Sequence, residues 1–197
     1  MDYDQNSLVE KPVSSLDEIK DNINKSGVTW LNINGLHDID LIKELGEVFS
    51  LSALLLEDIL NTDQNPKFES FDNHDAFILK MIHYDESIKK VVAEQFSLIL
   101  GEHYVITLQE RKGDVFEGVR ERIRNNKGRV RLNDNDYLMY ALLDAIADNY
   151  SIAIETVGTK IDELDSRIFK HNERGLAEEI YTLKTELNYL RKSVRPV

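Results

Sequence analysis

The segment "LEDILNTDQNPKFESFDN", residues 56–73, places two adjacent carboxylates, Glu57 and Asp58, at the end of an apolar run. A turn-rich stretch with Asn61, Asp63, Asn65 and Pro66 follows, and then Lys67 and Glu69, two residues apart on what reads as a short strand. Carboxylates are hard oxygen donors. A small hard divalent cation takes such donors while keeping several of its waters, so one or two carboxylates are enough to form a site. Adjacent residues of a helix point about 100° apart, so Glu57 and Asp58 suit two nearby ions better than one shared ion. The alternative is an acidic helix end that meets water, the usual state of a carboxylate. Asp144, within "YALLDAIAD", is an acid among apolar neighbours, with Asp148 one turn later on the same face. Such an acid is paired, exposed on a narrow stripe, or a ligand.

Other chemistries find little support. His37, His74, His83, His103 and His171 show no metal-ligand spacing, and His83 and His103 read as strand residues rather than zinc ligands. "NDND" at 133–136 begins like a calcium loop but lacks the glycine such a loop needs at its sixth position. There is no phosphate loop or dinucleotide fingerprint. Nothing singles out a hydrolytic triad, so the chain does not read as an enzyme. Arg120, Arg122, Arg124, Lys127, Arg129 and Arg131 form a basic run, expected to be a helix face paired with surrounding acids rather than a nucleic-acid surface.

The balance of charge agrees. With 36 acidic and 24 basic residues the formal net charge is −12, a poor field for phosphate contacts and a favourable one for cations. Copies of such a chain repel one another unless something neutralises their interface. The absence of cysteine rules out disulfides and thiolate metal sites and fits a reducing compartment. No stretch approaches the roughly 18 apolar residues of a membrane span. The acidic N-terminus has no apolar signal region, so the chain reads as soluble and cytosolic in character.

The elements that must position these acids follow from pattern. "SSLDEIKDNINKSG" opens with a capping box, Ser15 to Glu18, and reads as a short helix ending at Gly27. "VTWLNING" is a strand and turn. Asp38 or Asp40 caps an amphipathic helix carrying Leu41, Ile42, Leu45 and Phe49, and Ser52 caps the next, "SALLLEDILN". Residues 67–109 read as strands on short loops, hence antiparallel neighbours. From Gly113 the period turns helical, with Val115, Phe116, Val119 and Ile123 on one face. A long helix then begins at Asp134 or Asp136, about 55 Å at 1.5 Å per residue, too long for one small core to cover.

Val157, Ile161, Leu164 and Ile168 are spaced 4, 3, 4, and Leu176, Ile180, Leu183, Leu187, Leu190 and Val194 continue the rhythm after "HNERG". This predicts a heptad seam on both arms of a helical hairpin. The seam runs undiminished to the chain end, which suggests a truncated sequence, although Pro196 is a natural helix stop. The expected class is α/β: an α/β/α layered sandwich with a mixed, partly antiparallel sheet, followed by a long α-helical hairpin or stalk. The expected division is a globular domain over 1–133 and a helical arm over 134–197.

Six stretches together resemble the N-terminal cytoplasmic part of the CorA family of divalent-cation (Mg2+/Co2+) transporters: "TWLNINGL", "LLLEDILNTDQNPKFE", "EQFSLILGEHYVITLQE", "VRERIRNNKGRVR", "DYLMYALLDAIADNY" and "LKTELNYLRKSVRP". They span residues 28–197 in the family's order. Asn65 stands where the family has Arg, and the family's Gly-Met-Asn signature would lie beyond Val197. The resemblance implies a homopentamer on the cytoplasmic side of the cell membrane, anchored by transmembrane helices this sequence does not contain. It implies that the arm beginning near Leu176 leads toward the membrane. It also implies regulatory Mg2+, or Co2+ or another divalent cation, bound between subunits at Glu57, Asp58 and Asp144 and favouring a closed pore. The alternatives are the cytoplasmic domain of a zinc-transporting relative and a free-standing scaffold that dimerises through the hairpin.

Overall fold

The computed structural model describes residues 1–20, 27–85, 88, 90–168 and 175–194. Seven strands form one sheet: β1 (Asp2–Tyr3), β2 (Leu8–Val9), β3 (Val28–Asn34), β4 (Lys67–Ser70), β5 (Asp75–Asp85), β6 (Lys90–Leu100) and β7 (Tyr104–Gln109). Their order across the sheet is β2-β1-β3-β7-β6-β5-β4. β3 and β7 pair in parallel, Thr29 opposite Tyr104 and Asn34 opposite Gln109. The other described pairings are antiparallel, as the short loops between residues 67 and 109 require.

The strands alternate apolar residues to both faces, so the sheet needs cover on each side. On one face Ile33, Ile78, Ile99, Ile106 and Leu108 pack under α1 (Asp17–Lys20), α2 (Ile39–Phe49) and α3 (Ala53–Leu60). On the other, Trp30, Phe96, Leu98 and Val105 pack under α4 (Glu117–Arg124) and the first half of α5 (Asn135–Ile168). This is the α/β/α sandwich with a mixed sheet that the sequence predicts. Asp38, not Asp40, starts α2, its Oδ1 accepting from Leu41 N at 3.0 Å, and Ser52 starts α3 in the same way at 3.1 Å from Leu55 N. Gly46 lets these helices close: a Cβ there would lie 2.5 Å from Leu56 Cδ1. A glycine inside a helix costs about 1 kcal/mol in propensity, offset here by the close seating of α3 on α2.

α5 runs 34 residues. Beyond the sandwich, its Ala153 and Val157 meet Ile82 and Val91 of the sheet and Leu190 of α6 (Leu176–Val194). Lys160 pairs with Glu186 at 2.9 Å and Arg167 with Glu179 at 2.6 Å across the hairpin. The heptad seam is only half enclosed. Val157, Leu164 and Leu190 are buried, whereas Ile161, Ile168, Ile180 and Leu187 are exposed. Two helices meet along one line, so the second set of heptad positions is left facing solvent. Residues 169–174, where the sequence predicts a turn, and 195–197 lie outside the described residues.

α6 also covers the edge of β6 that runs past its pairing with β7. Val91 N donates to Glu186 Oε1 at 2.7 Å, and the Tyr189 hydroxyl accepts from Ala93 N and donates to Ala93 O. Next along, Gln95 N donates to Glu110 Oε1 at 2.6 Å. Side chains thus stand in for an absent strand, which keeps this edge from pairing with another chain. The short β1–β2 hairpin is not visible as strand pattern in the sequence. Its turn is tied by the Asp4 carboxylate, which accepts from Asn6 N and Ser7 N.

Of the basic run, Arg120, Arg124 and Arg131 are paired within the chain, and Lys127 and Arg129 are exposed. Arg131 donates to the carbonyls of Asp4 and Ser7, and Arg124 pairs with Glu10 and Glu117. Arg120 makes a two-pronged pair with Asp114 and lies 5.1 Å from the Trp30 ring centre. Burial disfavours the Asp114 charge, but hydrogen bonds from Arg120 and Phe116 N outweigh it and hold its pKa below the usual aspartate value. A lowered folded pKa contributes stability above about pH 4 that is lost as pH falls through the folded value. Asp114→Asn is expected to cost about 3 kcal/mol at pH 7 in urea unfolding, because Arg120 is left short of its counter-ion. The gap to the parent narrows below about pH 4; equal midpoints at pH 7 would contradict the assignment.

Candidate metal centre

Glu57 and Asp58 occupy the last turn of α3, a position whose orphan carbonyls carry partial negative charge. No basic residue lies in that turn. Two carboxylates at this end of a helix are electrostatically misplaced unless a cation joins them. They part company in space, as the 100° step requires: Glu57 is exposed and Asp58 is buried.

Three residues from elsewhere hold Asp58. After α3 the chain turns back, Asn61 N closing on Glu57 O at 2.9 Å and Gln64 N on Asn61 O at 3.0 Å. This brings Gln64 Nε2 to 2.5 Å from Asp58 Oδ1. Pro66 then leads into β4, from which Lys67 Nζ donates to Asp58 Oδ2. Lys67 also donates to Glu69 Oε1 at 3.1 Å; residues two apart on a strand share a face. From beneath, fully buried Gln95 of β6 donates through Nε2 to the carbonyls of Asp58 at 3.0 Å and Ile59 at 2.8 Å. The end of α3 is therefore capped by the sheet. Burial works against the Lys67 charge, but the hydrogen bonds to Asp58 and Glu69 outweigh it and raise its pKa above the ordinary lysine value.

Asp144 is exposed on α5, as is Asp148 one turn on. It shares that helix with the exposed apolar residues Tyr140, Ile154 and Ile161. α3 and α5 cover opposite faces of the sheet, so the chain does not bring Asp144 to Glu57 and Asp58. Among the described residues no group of three His, Asp or Glu side chains converges on a metal position. What is present fits part of a site: a nearly enclosed carboxylate for a hydrated hard cation, with Glu69 Oε2 buried and lacking a partner. A cleft of about 580 Å3 bounded by Lys11, Trp30, Asn32 and Arg120 opens at the β3 end of the sheet, away from Asp58.

Lys67, Gln64, Gln95 and Glu69 carry the site's geometry, and none of them is singled out by sequence pattern as a functional residue. Lys67 and Glu69 had a legible signal in their two-residue spacing beside the acids. So did Gln95, a polar residue inside the apolar run "VVAEQFSLIL".

The sequence profile described as "CorA-like Mg2+ transporter protein" matches residues 25–197. The "Cobalt/magnesium transport protein CorA" of Thermotoga maritima is 38% identical over 197 residues, covering 100% of this chain and 56% of that protein. The chain belongs to the CorA family. Among solved structures, the soluble domain of CorA from Methanocaldococcus jannaschii matches with a TM-score of 0.71 at 19% identity, over 95% of this chain and 72% of that one. The ZntB cytoplasmic domain from Vibrio parahaemolyticus matches with a TM-score of 0.66 at 14% identity, over 85% and 64%. At such identities these two likenesses speak for the fold alone. No described helix is long and apolar enough to cross a membrane. In this CorA-family chain the seat of Asp58 depends on Gln95. Gln95→Leu is expected to retain the fold and lose about 1–3 kcal/mol in urea unfolding, with two buried carbonyls left unpaired. An unchanged midpoint would show that those carbonyls have other partners.

Proposed function

We propose that this chain is the cytoplasmic, Mg2+-sensing part of a CorA-type magnesium and cobalt transporter. A divalent cation bound between copies at Asp58 would favour the closed state of a homopentamer. The observation that carries this reading is the environment of Asp58: a nearly enclosed carboxylate at the negative end of a helix, with Glu57 exposed beside it. The separation of α3 and α5 by the sheet supports a shared site, because Asp144 can join Asp58 only from another copy. The exposed apolar residues of α5 and α6 support self-association, being the set a partner helix would cover.

The mechanism is linkage. Copies of formal charge −12 repel, and an ion held by carboxylates of two copies offsets that repulsion locally. The ion shifts the population only by its difference in affinity for the closed and the splayed arrangements. Falling Mg2+ empties the sites and frees the domains. The candidate donors are carboxylate oxygens, and the chain has no cysteine; this suits Mg2+ better than Zn2+.

The test is limited proteolysis across a Mg2+ titration. The parent is expected to gain protection with Mg2+. Asp58→Ala is expected to need at least about tenfold more, the loss of one charged ligand contact. Equal responses in the two proteins would remove Asp58 from the regulatory site.

A further inference from the structure

Asp58 already has a cation. The Lys67 ammonium lies between two carboxylates, one hydrogen bond to Asp58 Oδ2 and one to Glu69 Oε1. The lysine side chain is 27% exposed and Asp58 only 12%, so this is not a loose surface pair. The arrangement is lopsided. Both oxygens of Asp58 are engaged, by Gln64 and Lys67, whereas Glu69 Oε2 is buried with no partner. A buried carboxylate oxygen without a donor is unfavourable. It is relieved if the ammonium moves wholly onto Glu69. Lysine carries three donors on a flexible stem. β4 is an edge strand, so that shift needs no rearrangement of the sheet.

We infer that Lys67 is a tethered cation that competes with the divalent ion for Asp58, with Glu69 as its second seat. This rests on the reading of Asp58 as a cation ligand. Without a divalent ion, Lys67 neutralises Asp58 at the end of α3. When the ion takes Asp58, the ammonium passes to Glu69 and satisfies Oε2. The lysine thereby sets a threshold, since the ion must displace a charge rather than fill an open site. It also disfavours monovalent ions. These bring the carboxylate no more charge than Lys67 does, and Lys67 is held at a high effective concentration by its tether.

Three proteins test this: the parent chain, Lys67→Gln and Glu69→Gln. Each is titrated with Mg2+ at constant ionic strength, following the thermal unfolding midpoint and, independently, the heat of binding. Circular dichroism checks folding, and Lys67→Met is the substitute if Lys67→Gln does not fold. Removing the competitor is expected to lower the half-saturating Mg2+ concentration about tenfold, the scale of one charge-assisted hydrogen bond. Removing its second seat is expected to raise that concentration about threefold, because the lysine then stays with Asp58. Opposite shifts support the inference. A lysine that merely holds β4 against α3 would lower stability in both variants and leave both Mg2+ midpoints where the parent has them. That outcome, or shifts of the same sign, overturns the inference and leaves Asp58 as ligand. If the parent gives no response, a response gained by Lys67→Gln supports the inference. Silence in both overturns it together with the reading of Asp58.

Discussion

A single sheet separates Asp58 from Asp144. α3 is seated on one face through Leu55 and Ile59, and α5 on the other through Leu138, Leu142 and Ile146. Both faces are filled by large apolar side chains, and no rotation of a carboxylate carries it through such a layer. The acids of this chain therefore act apart within one copy. Any site that uses both is a property of an assembly.

Within one copy, the end of α3 is arranged against local electrostatic preference. Carboxylates belong at helix N-termini and cations at C-termini; here Glu57 and Asp58 end the helix and no basic residue shares their turn. The fold compensates from outside. Gln95 takes the carbonyls, Gln64 takes one oxygen of Asp58, and Lys67 supplies the charge. A helix end stabilised by borrowed groups responds to what those groups do. The proposed sensing of a cation would need this property, because a carboxylate satisfied entirely within its own helix would have nothing to exchange. The Asp114–Arg120 pair is the contrast: enclosed, two-pronged and backed by Trp30, it fixes α4 to the sheet.

Much of this architecture is legible in residue order. Asp38 and Ser52 announce two helices by their capping chemistry, the alternating runs from Lys67 to Gln109 announce antiparallel strands, and the helical period after Gly113 announces the second layer. The acids of the candidate site are named by the same reading. The groups that hold them are harder to see, for a physical reason. Gln95 reaches α3 across 36 residues of sequence, and side chain to backbone bonds over such distances leave no periodic trace. Strands as short as Asp2–Tyr3 and Leu8–Val9 are too brief to show a period of two. The heptad rhythm of the hairpin was visible, but it marks every position able to pack and not which of them find a partner within the chain. Ile161 and Leu187 carry the same pattern as Leu164 and Leu190 and end up on the outside.

Everything proposed for this chain rests on contact between a divalent cation and Asp58. The most direct measurement is line broadening of backbone amide resonances by substoichiometric Mn2+, a paramagnetic stand-in for Mg2+. Broadening is expected to centre on residues 57–69, to be reversed by excess Mg2+ and to be reduced in Asp58→Ala. Broadening centred on other acidic surfaces, with residues 57–69 untouched, would contradict that contact.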